Sequence, residues 1–229
     1  MNKIPVITVD GPSGVGKGTI SQLLAKELGW HMLDSGALYR AIGWAASQRG
    51  IINDQEDVLA DLARDLDVVF VPRSGALTEV EIDGETVGDS LRTEEAAAAA
   101  SQVAALPRVR EALLAKQHAF RQMPGLVADG RDMGSQVFPD ARLKIFLKAS
   151  AEIRAQRRHK QLKEKDFSVN LARLVDEIRE RDERDATRPV SPMRPAEDAH
   201  IIDTGPLTID EVMAEIRDLV QQAGISHPQ

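Results

Sequence analysis

Residues Gly11-Pro12-Ser13-Gly14-Val15-Gly16-Lys17-Gly18-Thr19 combine four glycines with one lysine in nine positions. A loop of this kind lets successive backbone N–H groups point inward at a phosphate. A following helix N-terminus adds partial positive charge, and Lys17 reaches the outer phosphates. The pattern ordinarily places Ser or Thr directly after the lysine, where the hydroxyl binds magnesium. Here Gly18 holds that place and Thr19 follows, so direct ligation by Thr19 competes with contact through water or phosphate. A glycine-rich turn without a ligand is the plainer alternative.

A second group is cationic. Arg181, Asp185 and Arg188 stand at i, i+4 and i+7, one face of a helix. Taken alone, such a face reads equally as a solvated row of ion pairs. Arg154, Arg157 and Arg158 cluster in an earlier segment, where a basic solvent-facing helix is the alternative. Asp129-Gly130-Arg131-Asp132 follows an apolar run, and an Asp before Gly is also a common turn former.

The rest of the composition narrows the class of protein. The 229 residues are 42% hydrophobic and 28% charged, enough apolar content for a substantial core and against disorder. Cysteine is absent, which removes disulfides, thiolate metal sites and cysteine nucleophiles together, and fits a reducing compartment. The N-terminal apolar stretch stops at Asp10, short of a secretory signal, and no apolar run approaches the ~20 residues of a membrane span. A cytoplasmic protein is expected. The net charge of −7 argues against non-specific nucleic-acid binding. Arginines bunched between Arg108 and Arg194 point instead to a small anionic ligand. His31, His118, His159, His200 and His227 lack metal-ligand spacing, so no metal site in the protein itself is expected. Trp30 and Trp44 read as core residues. The guanine-reading Asn-Lys-x-Asp sequence does not occur, which lowers a GTPase reading, and the chain is short for a motor ATPase.

The elements that must position these groups alternate. Ile4–Val9 reads as a buried strand, Gly18–Leu28 as a helix stopped by Gly29, and His31–Leu33 as a second strand. Leu38–Gln48 and Gln55–Leu66 read as helices. Asp67–Pro72, Leu77–Ile82 and Glu85–Val87 alternate around Asp83-Gly84, a hairpin signal, so residues 67–88 are expected to form a small antiparallel sheet. Thr93–Leu106 and Val109–Arg121 read as helices on either side of Pro107. Gly125–Ala128, Leu143–Leu147 and His200–Ile202 complete five short strands. Ser150 is expected to cap a helix reaching about Leu162. Ser168 is expected to cap one ending at Arg188, and Thr208 with Glu211 forms a capping box for residues 209–222. The fold class is therefore α/β, a five-stranded parallel sheet sandwiched by helices with a small inserted antiparallel sheet and a helical lid.

The phosphate loop, Asp34-Ser35-Gly36-Ala37-Leu38-Tyr39-Arg40, Ala100-Ser101-Gln102-Val103-Ala104, Arg108-Val109-Arg110, Asp129–Gly134 and Arg181–Arg188 together resemble the bacterial cytidylate kinases. The resemblance covers nearly the whole chain with the motifs in the family's order. It includes the inserted sheet, and only the last twenty or so residues carry nothing diagnostic. It implies phosphoryl transfer from ATP to CMP or dCMP, with magnesium arriving on the nucleotide. By the resemblance, residues Gly11–Thr19 hold ATP, and Arg157 of the lid helix reaches the transferring phosphoryl group. Ser35, Arg40 and Arg131 hold the acceptor phosphate. Arg188 binds phosphate as well, while Arg181 and Asp185 contact the sugar.

The chemistry of such a transfer agrees with this residue set. Two multiply charged anions must be brought together, so catalysis rests on positioning and positive charge. The acceptor oxygen of a monophosphate is already ionised at neutral pH, and no general base is required. Asp129 can orient magnesium through water. Cytosine offers an amino donor at N4 and acceptors at O2 and N3, which Asp132 on one side and Arg110 with Ser101 on the other would satisfy. Uracil would set its O4 against the Asp132 carboxylate.

The expected organisation is core with phosphate loop at 1–37, a monophosphate-binding region at 38–124, core at 125–149, lid at 150–167 and core at 168–229. A monomer is expected, since no feature demands more. Two alternatives stand beside this reading. One is a small-metabolite kinase of the same fold acting on a hydroxyl such as that of shikimate, with Asp34 offered near the acceptor. The other is a nucleotide-gated module that hydrolyses ATP and docks a partner through the inserted sheet.

Overall fold

The computed structural model describes residues 3–52, 55–71, 79–164 and 169–225. In chain order, β1 is Val6–Asp10, α1 Lys17–Leu28 and β2 His31–Asp34. Next come α2 at Ser35–Gln48, α3 at Glu56–Asp65, β3 at Val68–Val71, β4 at Glu79–Ile82 and β5 at Glu85–Thr86. A 3-10 turn at Gly88–Arg92 leads to α4 at Glu94–Val103 and α5 at Pro107–Ala119. Then follow β6 at Leu126–Gly130, a π-helical turn at Met133–Val137, β7 at Leu143–Lys148, α6 at Ala151–Lys163 and α7 at Leu171–Thr187. The last two elements are β8 at His200–Asp203 and α8 at Ile209–Gln222.

The chain forms two compact units, one of Met1–Leu33 with His118–Gln229 and one of Asp34–Gln117. The first is built on a sheet in the order β2-β6-β1-β7-β8, with β1 pairing parallel to both β6 and β7, and β7 to β8. Strands β1 and β6 are buried at every position, the pattern of a parallel sheet covered on both faces. Ile7, Val9, Ile145 and Leu147 of the sheet pack with Ile20, Leu24 and Leu28 of α1 and with Val212, Met213 and Ile216 of α8. A satellite cluster joins Ala155 of α6 to Leu174 and Ile178 of α7. Trp30 packs on this core, its ring so close to Gly125 that a Cβ there would lie 2.4 Å from it.

The second unit contains α2–α5 and the sheet β3-β4-β5, antiparallel throughout. Asp83 and Gly84 take φ of 49° and 80°, the left-handed pair that a two-residue hairpin turn requires. Gly43 of α2 lets α4 approach, since a Cβ there would meet that of Ala99 at 3.1 Å.

Several boundaries differ from the expected ones, each for a local reason. Helix α2 begins at Ser35, three residues before the expected start, because the Asp34 side chain caps it by accepting from the Ala37 N–H at 2.8 Å. Helix α5 starts on Pro107 itself, the first-turn position where a missing N–H costs nothing. Helix α7 is capped by Asn170; Ser168 lies outside the described residues. Strands β6 and β7 run on to Gly130 and Lys148, so Asp129 is a strand residue, not a turn former. The cap at Ser150, the stop at Gly29 and the reciprocal Thr208–Glu211 box match their sequence signals, whereas α4 ends at Val103, short of the expected Leu106. Among the described residues, no helix is long and apolar enough to cross a membrane.

Candidate active site

The phosphate loop joins β1 to α1 and needs glycine for two separate reasons. Gly11 has φ 143°, and a Cβ there would come within 2.1 Å of the Leu147 carbonyl oxygen. Gly14 and Gly16 have φ of 78° and 96°, and Gly16 is the N-cap of α1. That helix has no side-chain cap, so its first N–H groups face the loop. Lys17 is 7% exposed and donates to the Pro12 carbonyl at 2.8 Å, which folds its side chain back over the loop. Thr204, just beyond β8, holds the loop from outside by donating its hydroxyl to the Val15 carbonyl at 3.1 Å.

Segment 129–134 lies against this loop. Asp129 is 6% exposed, and its carboxylate is 3.7 Å from where a Gly18 Cβ would stand. A side chain at position 18 would thus stand in ordinary contact with the Asp129 carboxylate. Asp10, the last residue of β1, accepts from the Met133 N–H and the Gly134 N–H, each at 2.8 Å. Burial pushes the Asp10 carboxyl up to about 7; the two backbone N–H groups oppose that rise, and the neighbouring Asp132 and Asp129 add to it.

Two of the expected arginines stand here with carboxylate partners, and a third lies on the same helix face. Arg131 Nε donates to Asp185 Oδ2 at 3.2 Å, with the two side chains 17% and 6% exposed. Arg188 Nη2 lies 3.5 Å from Asp132 Oδ1, with both side chains nearly water-free. Arg181 is half-buried one turn before Asp185. A solvated ion-pair row does not describe this face of α7, because Asp185 and Arg188 are buried.

The three arginines of α6 separate by role. Arg154 is 3% exposed and donates to the carbonyls of Ser13, Ala149 and Ser150 while forking onto Asp182 of α7. Its Cβ would sit 3.2 Å from a Cβ on Gly14, so it forms the floor under the phosphate loop. Arg157 donates to the hydroxyl and the carbonyl of Thr204, which places it one residue away from the loop. Arg158 is half-buried.

Four candidates belong to the unit Asp34–Gln117. Ser35 is buried and accepts from Gln117 Nε2 at 2.9 Å, leaving its own hydroxyl proton to be donated elsewhere. Arg40 pairs with Asp34 at 2.9 Å, so both Asp34 oxygens are engaged, one by the Ala37 N–H and one by Arg40. Ser101 of α4 is buried. Arg110 donates to the Ala104 carbonyl at 3.2 Å, with its guanidinium 5.7 Å from the centroid of the buried Tyr39 ring.

Sequence reasoning missed Asp10, Asp182, Thr204 and Gln117, because each acts through partners at least 28 residues away in the chain. Among the described residues, no group of three His, Cys, Asp or Glu could enclose a metal ion.

A cytidylate kinase from Aeromonas salmonicida (strain A449) is 57% identical over 218 residues, 95% of this chain and 94% of that one. One from Vibrio parahaemolyticus serotype O3:K6 is 56% identical over 220 residues, covering 96% and 97%. A shikimate kinase structure from Bacteroides thetaiotaomicron covers 95% of this chain and 98% of its own, at 13% identity and a TM-score of 0.48. The cytidylate kinase family model matches residues 7–222. The chain belongs to the cytidylate kinase family.

Proposed function

We propose that this protein transfers the terminal phosphoryl group of ATP to CMP and dCMP, giving CDP and dCDP. The observation that carries the reading is the buried set Arg131–Asp185 and Arg188–Asp132, which joins α7 to the segment 129–134 that Asp10 bonds just before the phosphate loop. Buried guanidinium groups next to a phosphate cradle lower the repulsion between two approaching anions, which is the main barrier of this transfer.

The backbone N–H groups of Gly11–Thr19 and the Lys17 ammonium grip the donor phosphates. Arg131 and Arg188 hold the acceptor phosphate and the charge that builds on the transferring group; the already ionised acceptor oxygen then attacks without a base. Ser35 and Arg40 add donors to the acceptor phosphate, and Arg181 with Asp185 hold the sugar. Arg157 reaches the transferring phosphoryl group by leaving Thr204. Asp132 accepts from cytosine N4, and Ser101 with Arg110 satisfy the base's acceptors.

A buried carboxylate beside Gly18 suits the hard oxygen preference of magnesium, although one carboxylate cannot hold the ion alone. Magnesium would therefore come with the nucleotide and supply charge neutralisation to its phosphates, and Asp129 would orient its bound water. A hydroxyl-acceptor kinase using Asp34 as base is not favoured, since that carboxylate already caps α2 and pairs with Arg40.

The test measures ADP formation from ATP with CMP, dCMP, UMP, AMP and shikimate in turn. CMP and dCMP should be the preferred acceptors. Turnover that ignores every monophosphate would end this reading.

A further inference from the structure

The geometry points to Asp10 as the positioning residue that caps the turn after Asp132 and so releases the Asp132 side chain to read the acceptor base. Asp132 stands at the N-cap of the π-helical turn Met133–Val137, where an aspartate ordinarily turns its carboxylate back onto the exposed N–H groups. It makes no such bond. Asp10 instead reaches across from β1, one oxygen accepting from Met133 and the other from Gly134, both at 2.8 Å. Two bonds from two oxygens of one buried carboxylate fix both the distance and the rotation of the segment. The approach is tight, since a Cβ on Gly134 would fall 2.7 Å from the Thr8 hydroxyl of the same strand.

With its capping duty taken over, the Asp132 carboxylate faces Arg188. The residue before the phosphate loop thereby sets the direction of a side chain assigned to the acceptor. This inference rests on the cytidylate reading for what Asp132 recognises, but the capping relation does not depend on it.

The experiment compares wild type with Asp10→Asn, which keeps the shape and one acceptor, and Asp10→Ala, which removes both. Two readouts are taken: steady-state kinetics with CMP, UMP and ATP, and amide hydrogen exchange across residues 131–138. In Asp10→Asn, KM for CMP should rise roughly tenfold, the size of one lost charge-assisted bond. The CMP-to-UMP preference should fall with it, KM for ATP should move less than about threefold, and exchange at Met133 and Gly134 should accelerate. A folded Asp10→Asn variant with unchanged CMP-to-UMP preference and unchanged exchange overturns the proposal. So does a rise in KM for ATP alone. If Asp10→Ala fails to fold, Asp10→Asn decides. If wild type ignores CMP altogether, the cytidylate reading fails while exchange in the variant still decides whether Asp10 caps the turn.

Discussion

Arg188 and Asp132 face each other at 3.5 Å, each side chain 4% exposed. Removing either takes a buried counter-charge from the other, so on the proposed function catalytic and structural effects should travel together at this pair.

Replacing Arg188 by alanine should lower kcat/KM for CMP about ten- to a hundredfold, the worth of a charge-assisted contact of roughly 1.5–3 kcal/mol. Because Asp132 loses its counter-charge, urea denaturation should also show lower stability. Wild-type kinetics in the folded variant would exclude Arg188 from the transfer site.

Asp132→Asn should narrow the preference for CMP over UMP, since an amide can donate to uracil O4 where the carboxylate repels it. Competition assays with both monophosphates in one reaction read that ratio directly.

The pH dependence of stability should carry the signature of Asp10. Its folded-state pKa of about 7 exceeds the unfolded value near ~3.9, so the folded protein binds more protons between them. Its stabilising contribution is complete below about pH 4 and is lost as pH rises through about 7. Urea unfolding of wild type and Asp10→Asn from pH 4.5 to 8 should give a stability difference that shifts against wild type by on the order of 3–4 kcal/mol, then flattens. A constant offset across the range would refute it.

Arg154→Ala and Arg154→Lys should both lower the melting temperature and raise KM for ATP. The fork onto Asp182 and the bonds to three carbonyls use the guanidinium shape that an ammonium cannot reproduce. A loss of about 3–5 kcal/mol is expected for the alanine variant, because Asp182 and the loop carbonyls lose a buried partner. Differential scanning calorimetry with and without ATP separates the two effects.

The α/β order, the five strands and the inserted hairpin were legible because period and turn chemistry act locally. Asp83-Gly84 is the clearest case, since its left-handed pair is written in two residue types. The start of α2 was not legible: Asp34-Ser35-Gly36 has turn composition, and only the bond from Ala37 N–H to Asp34 makes it a helix end. The turn at 133–137 leaves no periodic trace in five residues. In the candidate site, spacing put Arg181, Asp185 and Arg188 on one face but could not say whether water or protein covers it. Nor could it separate Arg154, which is buried against Ser13, from Arg157 of the same cluster, which bonds to Thr204. Those distinctions arise from partners far along the chain.

Helices α2, α4, α6, α7 and α8 each begin on a side chain that closes their first turn, whereas α1 begins on Gly16, and α3 on Gln55, with none. On the proposed function, phosphate oxygens of ATP would do for α1 what an Asp, Asn, Ser or Thr side chain does for those five helices. Nucleotide loading should then raise the stability of the fold. A nucleotide present at a hundred times its dissociation constant would add about 2.7 kcal/mol to the unfolding free energy.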